Sequence, residues 1–129
     1  MIYLASPFTS HHPYITTRKE QEQDRYSLAC EAAGLIMWSG EIVFSPISHS
    51  YGPHLEVALP GDWSFWEIHD RWYLERCDSV LVLQLEGWSE SVGIKAEIAL
   101  AASLHKPVRF MSMDELRKLY VAKNAPESC

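Results

Sequence analysis

Two acidic residues stand where the surrounding pattern calls for apolar ones. Read at helical spacing, Gly93, Ala96, Glu97, Leu100, Ala101 and Leu104 form one stripe of small and apolar residues in which Glu97 is the only charge. In the helix-like segment before it, Trp66, Asp70, Tyr73 and Cys77 share a face at i, i+4, i+7 and i+11, and Asp70 interrupts it in the same way. Burying an unpaired carboxylate costs several kcal/mol or forces it to take up a proton, so an inward acid needs a partner or has a task. A raised pKa in its aromatic setting makes Asp70 a usable acid near neutrality. A plainer account stands beside this one. A Glu in the first turns of a helix is favoured by the macrodipole, stripe edges carry charges that reach solvent, and Asp70 could serve a helix-to-loop hydrogen bond.

Other side chains could also do chemistry. The chain has six histidines, and none shows HExxH or another recognised ligand spacing, so no metal site is predicted. His49, after "FSPIS", is the histidine best placed to face a ligand, as a recognition group or a proton relay. The three cysteines, Cys30, Cys77 and Cys129, fit neither a disulfide framework nor a metal knuckle and predict a reducing, cytoplasmic setting. A formal net charge of −6 argues against a nucleic-acid or anionic-membrane partner, which needs a basic footprint, and in favour of a small molecule. The opening run "MIYLA" is too short for a signal peptide and lacks its charged flank. No stretch reaches the apolar length of a membrane span, so a soluble protein is expected.

The elements that must position these residues follow from periodicity. "MIYLA" (1–5), "EIVFS" (41–45) and "SVLVLQL" (79–85) read as buried strands and "KPVRF" (106–110) as a fourth. Helix-like sequence separates them: 17–39, ended by Gly40; a segment from an Asp62 N-cap to Cys77; 91–104; and "SMDELRKLYVAK", capped by Ser112 or Asp114. This βα alternation over 129 residues predicts one domain. It is a three-layer α/β sandwich, flavodoxin/Rossmann-like, with a parallel sheet of four to five strands. The loops "SPFTSHHPYITT", "PISHSYGPHLEVALPGD" and "EGWSES" fall at the carboxyl ends of parallel strands, where open α/β sheets bind ligands. The C-terminal "NAPESC" reads as a loose tail.

With loops and carboxylates placed, residues 1–110 resemble the nucleoside 2-deoxyribosyltransferase family, taken to include the 2'-deoxynucleoside 5'-phosphate N-hydrolases. "IYLASP" resembles the family's opening Ile-Tyr strand, "DRWYLERCDSVLVL" its Asp followed eight residues later by a second Asp, here Asp70 and Asp78. "SVGIKAE" resembles its Ser/Asp-x-Gly-x-x-x-Glu signature, and "ALAASLHKPV" its Ala-rich helix running into "GKPV". Within the group the chain is closer to a branch of uncharacterised bacterial and phage proteins.

The resemblance implies cleavage of an N-glycosidic bond, by hydrolysis or base exchange, without a cofactor. Glu97 is then the nucleophile, Tyr3 holds it oriented and ionised, and Asp70 binds the sugar or protonates the departing base. Ser6, Phe8, His49, Ser91 and Gly93 are the implied substrate-binding residues. Gly93 lets backbone N–H groups approach an anion. Phe8 has the best position to stack on a base, with Trp63, Trp66 and Trp88 as further surfaces. Two departures leave the substrate open between nucleoside and nucleoside monophosphate. The loop after the first strand has Thr9 and no Arg before Arg18 where the nucleotide hydrolases carry an Arg, whereas Ser91 favours a phosphate. A homodimer or larger assembly is implied, with the aromatic segment Trp63–Tyr73 suited to its interface. The alternatives are a nucleotide sensor using the same cleft without turnover, and a metal-dependent hydrolase built on the histidine-rich loops.

Overall fold

The computed structural model describes residues 1–8 and 18–124. Four strands, β1 (Ile2–Ala5), β2 (Val43–Phe44), β3 (Ser79–Leu83) and β4 (Val108–Met111), form an all-parallel sheet in the order β2-β1-β3-β4. Five α-helices accompany them among the described residues: α1 (Arg18–Trp38), α2 (Pro46–Val57), α3 (Trp63–Arg76), α4 (Val92–Ser103) and α5 (Met113–Asn124), with a 3-10 turn at Trp88–Glu90. The arrangement is the expected three-layer α/β sandwich.

Side chains alternate across the sheet with period two, so each strand feeds two cores. Ile2, Leu4, Leu81 and Leu83 pack against Ala32, Ala33 and Ile36 of α1 and Met113 and Leu116 of α5. Tyr3, Ala5, Val80 and Val82 face the other way, against Leu74 of α3 and Ile94 and Ala101 of α4. Both faces being covered, the strands read as continuous apolar runs rather than alternating ones. Tyr3 pairs in register with Phe44 on one side and Val80 on the other, which sets its ring in the α3/α4 layer.

Chain ends of the helices follow local chemistry. Gly40, at φ +94°, takes the left-handed conformation that lets the chain leave α1. Ser112 Oγ accepts from the Glu115 amide while Glu115 Oε1 accepts from the Ser112 amide, a reciprocal box that makes Ser112, not Asp114, the cap of α5. Asp62 occupies the N-cap of α3 without a side-chain capping bond. At the other end of α3, the Lys106 ammonium donates to the carbonyls of Leu74, Glu75 and Cys77, satisfying orphan acceptors at a helix end that favours a cation.

The segment after β2 departs from expectation. "PISHSYGPHLEV" is a helix rather than a loop, in spite of Gly52 and Pro53. Ser45 Oγ accepts from the Ser48 amide and Pro46 sits at the first helical position, so the segment carries a strong start signal. Packing supplies the rest. Tyr51 is buried, with its ring stacked on Tyr26 at 4.9 Å and edge-on to Phe8 at 5.4 Å. The same cap shortens β2: the expected strand 41–45 pairs only through Val43 and Phe44 because Ser45 already belongs to the helix. Thr9, His11 and His12 lie outside the described residues, as does the tail from 125 onward. Among the described residues no helix is long and apolar enough to cross a membrane.

Candidate functional site

β1 leads to β2 on one side and its other neighbour is β3, so the winding reverses between β1 and β3. A crevice opens at the carboxyl ends of the strands at such a point. Here it is a cavity of about 790 Å³ walled by the end of β1 and by parts of α1, α2, α3 and α4. Asp70 and Glu97 both line it, so the two inward acids share one site.

The carboxyl pair is built from two helices and a strand. Asp70 and Leu74 are the buried positions of α3, and Ile94, Glu97 and Ala101 those of α4. Asp70 and Glu97 are 9% and 8% exposed, and Tyr3, between their helices on β1, is fully buried. The inward stripe of α4 runs through Ile94 rather than on to Leu104, which is exposed, but Glu97 stays on it. Trp63 closes the site from the side. Its Cζ3 lies 3.4 Å from the point a Cβ on Gly93 would occupy, and Glu97 Oε1 lies 3.8 Å from that point. Gly93 therefore allows the close approach of the Trp63 indole to α4.

Burial dominates the electrostatics. Glu97 is pushed well above the ordinary carboxylate range, first by burial and then by the neighbouring Asp70 charge, with the Tyr3 hydroxyl opposing. Asp70 rises to about 6, again chiefly through burial, offset by His69 and Tyr3. Burial therefore favours the protonated form of both acids, and the Tyr3 hydroxyl favours the ionised form of both. The Tyr3 phenol is itself raised far above its usual value by burial and by both acids, so it stays protonated. Its hydroxyl is near enough to favour both ionised carboxyls, yet it makes no well-aligned hydrogen bond, and Glu97 Oε2 also lacks a partner. Tyr3 acts in the expected direction, towards ionised Glu97, and burial acts against it with the larger effect. One phenol beside two acids does not offset the desolvation of the deeper one.

The other expected site residues divide. Ser6 and Phe8 line the cavity from the end of β1, as do Ser91 and Gly93 at the start of α4. Ser91 Oγ accepts from the Ile94 amide and so caps the helix. Trp63 and Trp66 are on the wall, whereas Trp88 packs on Phe110 away from it. His49 does not line the cavity. It lies on the outer side of α2, exposed, against the rings of Phe44 and Tyr73, because α2 is helical and turns it outward. In its place His54 lines the cavity, with Ile47 and Tyr51 before it at i and i+4 and His54 itself at i+7. That spacing is present in the sequence, but it points to one face only if the segment is a helix, and Gly52–Pro53 hides the helix. Arg18 and Glu22, joined by a 3.2 Å ion pair on the first turns of α1, also line the cavity. Arg25 ties α1 to the loop after β3 through a 2.6 Å bond from Nη2 to the Glu86 carbonyl. Among the described residues no three His, Cys, Asp or Glu side chains are placed to hold a metal ion together.

Fold and site define a doubly wound α/β protein with a buried carboxyl pair at its topological switch point. The model of a protein family described as a domain of unknown function, DUF1937, matches residues 1–113, and the chain belongs to that family. No curated protein matches it.

Proposed function

We propose that the protein cleaves the N-glycosidic bond of a nucleoside, through Glu97 as nucleophile and Asp70 as proton carrier. The observation that carries this reading is the buried pair itself: two carboxyls with different proton affinities and a phenol beside them, on the floor of a ligand-sized cavity. The resemblance to the nucleoside 2-deoxyribosyltransferase family supports the assignment of roles.

Glycosidic cleavage passes through an oxocarbenium-like transition state. Positive charge developing at C1' favours the ionised form of the acid beneath it, so Glu97 reacts as the carboxylate while Asp70 carries the proton. Glu97 then bonds to C1', the C1'–N bond breaks, and its electron pair leaves with the base, which takes the proton from Asp70. In the second half, water bonds to C1' and returns a proton to Asp70 as the ester to Glu97 breaks. A second base in place of water gives exchange.

Charge favours a nucleoside over a nucleotide as the substrate. The described wall carries Glu22, Asp70, Glu90 and Glu97 against a single guanidinium, Arg18, which is paired with Glu22. A phosphate dianion meets repulsion here, and an uncharged 5'-hydroxyl does not. The assembly we propose is a homodimer or larger; since Trp63 and Trp66 turn inward, the face of α3 open to a partner is the one carrying Ile68 and Trp72.

The test is release of free base from a panel of nucleosides and their 5'-monophosphates, beside Glu97→Ala. Release from nucleosides that falls by orders of magnitude in the variant supports the reading. Equal release from both proteins refutes it. A second reading, a nucleoside receptor without turnover, draws on the burial of Glu97, which favours the protonated, hydrogen-bond-donating form of the acid. Tight binding with no base released from any substrate would favour it.

A further inference from the structure

The cavity carries polar groups besides the carboxyl pair. Ser6 Oγ, Tyr51 Oη and His54 Nδ1 are buried and make no hydrogen bond, and all three residues line the cavity. A buried polar atom left without a partner destabilises the fold, so three on one cavity, with Tyr51 only 3% exposed, call for a ligand that completes them. The Phe8 ring stands edge-on to Tyr51 and offers an aromatic surface in the same wall. Burial and then the charge of Glu22, whose side chain is 14% exposed, raise the Tyr51 phenol. Arg18 reaches only one of the Glu22 oxygens.

Ser6 and Tyr51 can each donate or accept. His54 Nδ1 accepts or donates according to tautomer, and Glu22 can only accept. A planar group with both donors and acceptors on one edge meets that set. Pyrimidine diones present a single N–H flanked by two carbonyls, which a carboxylate repels. Amino-bearing bases present an exocyclic NH2, alone or beside a ring N–H, and this matches an acceptor-rich wall.

We propose that Ser6, Tyr51 and His54, with Glu22, form the base-recognition subsite, and that it selects nucleobases carrying an exocyclic amino group over pyrimidine diones. The proposal rests on the nucleoside reading for the identity of the ligand, but not on turnover. Tyr51 and His54 are specificity residues, placed on α2 opposite the helices that bear the carboxyls.

Calorimetric binding of adenine, guanine, cytosine, uracil and thymine, each methylated at its glycosidic nitrogen so that no extra N–H is offered, to the whole chain tests it without requiring cleavage. Adenine, guanine or cytosine is expected to bind at least about 10-fold more tightly than uracil and thymine, since one good donor–acceptor match against a mismatch is worth about 1.4 kcal/mol or more. Tyr51→Phe should weaken the preferred base roughly 3- to 10-fold, the size of one hydrogen bond, and Glu22→Gln should narrow the preference. A structural role for the Tyr51 hydroxyl predicts something else. Because that hydroxyl has no partner, Tyr51→Phe should leave the melting temperature of the ligand-free protein unchanged or higher. Diones binding as well as amino bases, no base binding at all, or affinities unmoved by both substitutions would overturn the subsite. So would a fall in the melting temperature of ligand-free Tyr51→Phe. Selective binding of amino bases without release of base from nucleosides would sustain the subsite and sink the catalytic reading.

Discussion

Asp70→Asn provides the sharpest test of the electrostatic account. In the folded protein Asp70 titrates at about 6, against an ordinary value of about 4, and burial is the main cause. Its folded pKa being raised, the stability it contributes is fully present below about pH 4 and is lost as pH rises through about 6. A pKa moved from about 4 to about 6 corresponds to about 3 kcal/mol at pH 8. Asn has the same shape and cannot ionise, so the variant escapes this loss. For a chain of this length about 3 kcal/mol is on the order of 10 °C in melting temperature. Melting curves of wild type and Asp70→Asn, recorded from about pH 4 to pH 8, should therefore converge or favour the wild type in acid and diverge in favour of Asn above about pH 6. Parallel curves over the whole range would refute the claim that Asp70 is ionised at a cost inside the fold. They would remove with it the argument that the pair is poised for proton transfer.

Glu97→Gln should behave in the same direction, with its divergence continuing to higher pH because Glu97 holds its proton more strongly; the same melting series reads it. Lys106→Met removes the ammonium shared by three carbonyls at the end of α3 and should lower stability by about 1–3 kcal/mol in urea titration. By contrast, Arg117→Ala breaks a 2.6 Å but half-exposed ion pair with Glu31 and should cost less than about 1 kcal/mol, measured in the same way. Gly93→Leu drives a side chain into Trp63 and should cost about 1–3 kcal/mol; a change in tryptophan fluorescence should report the displaced indole.

Local chemistry, which the sequence carries directly, determined much of this protein. Strand runs such as "IYLA" and "SVLVL" are apolar on both faces because helices cover both, and that continuity is readable without coordinates. Glu97 and Asp70 were legible because a charge on an apolar stripe breaks a periodic pattern, and the structure does place both at one cavity. The segment 46–57 reads as a loop because Gly52 and Pro53 argue locally for a turn, although its Ser45–Pro46 start is a helix signal. The stacking of Tyr51 on Tyr26 and its contact with Phe8, made between segments far apart in the chain, outweigh that propensity. Only the tertiary structure decided that His54 rather than His49 faces the cavity, since position around a helix axis separates inside from outside. Only it brought Arg18 and Glu22 to the same wall and set Glu97 deeper than Asp70. Proton affinity depends on how much water surrounds a carboxyl, and that is a property of the packed molecule that no spacing along the chain encodes.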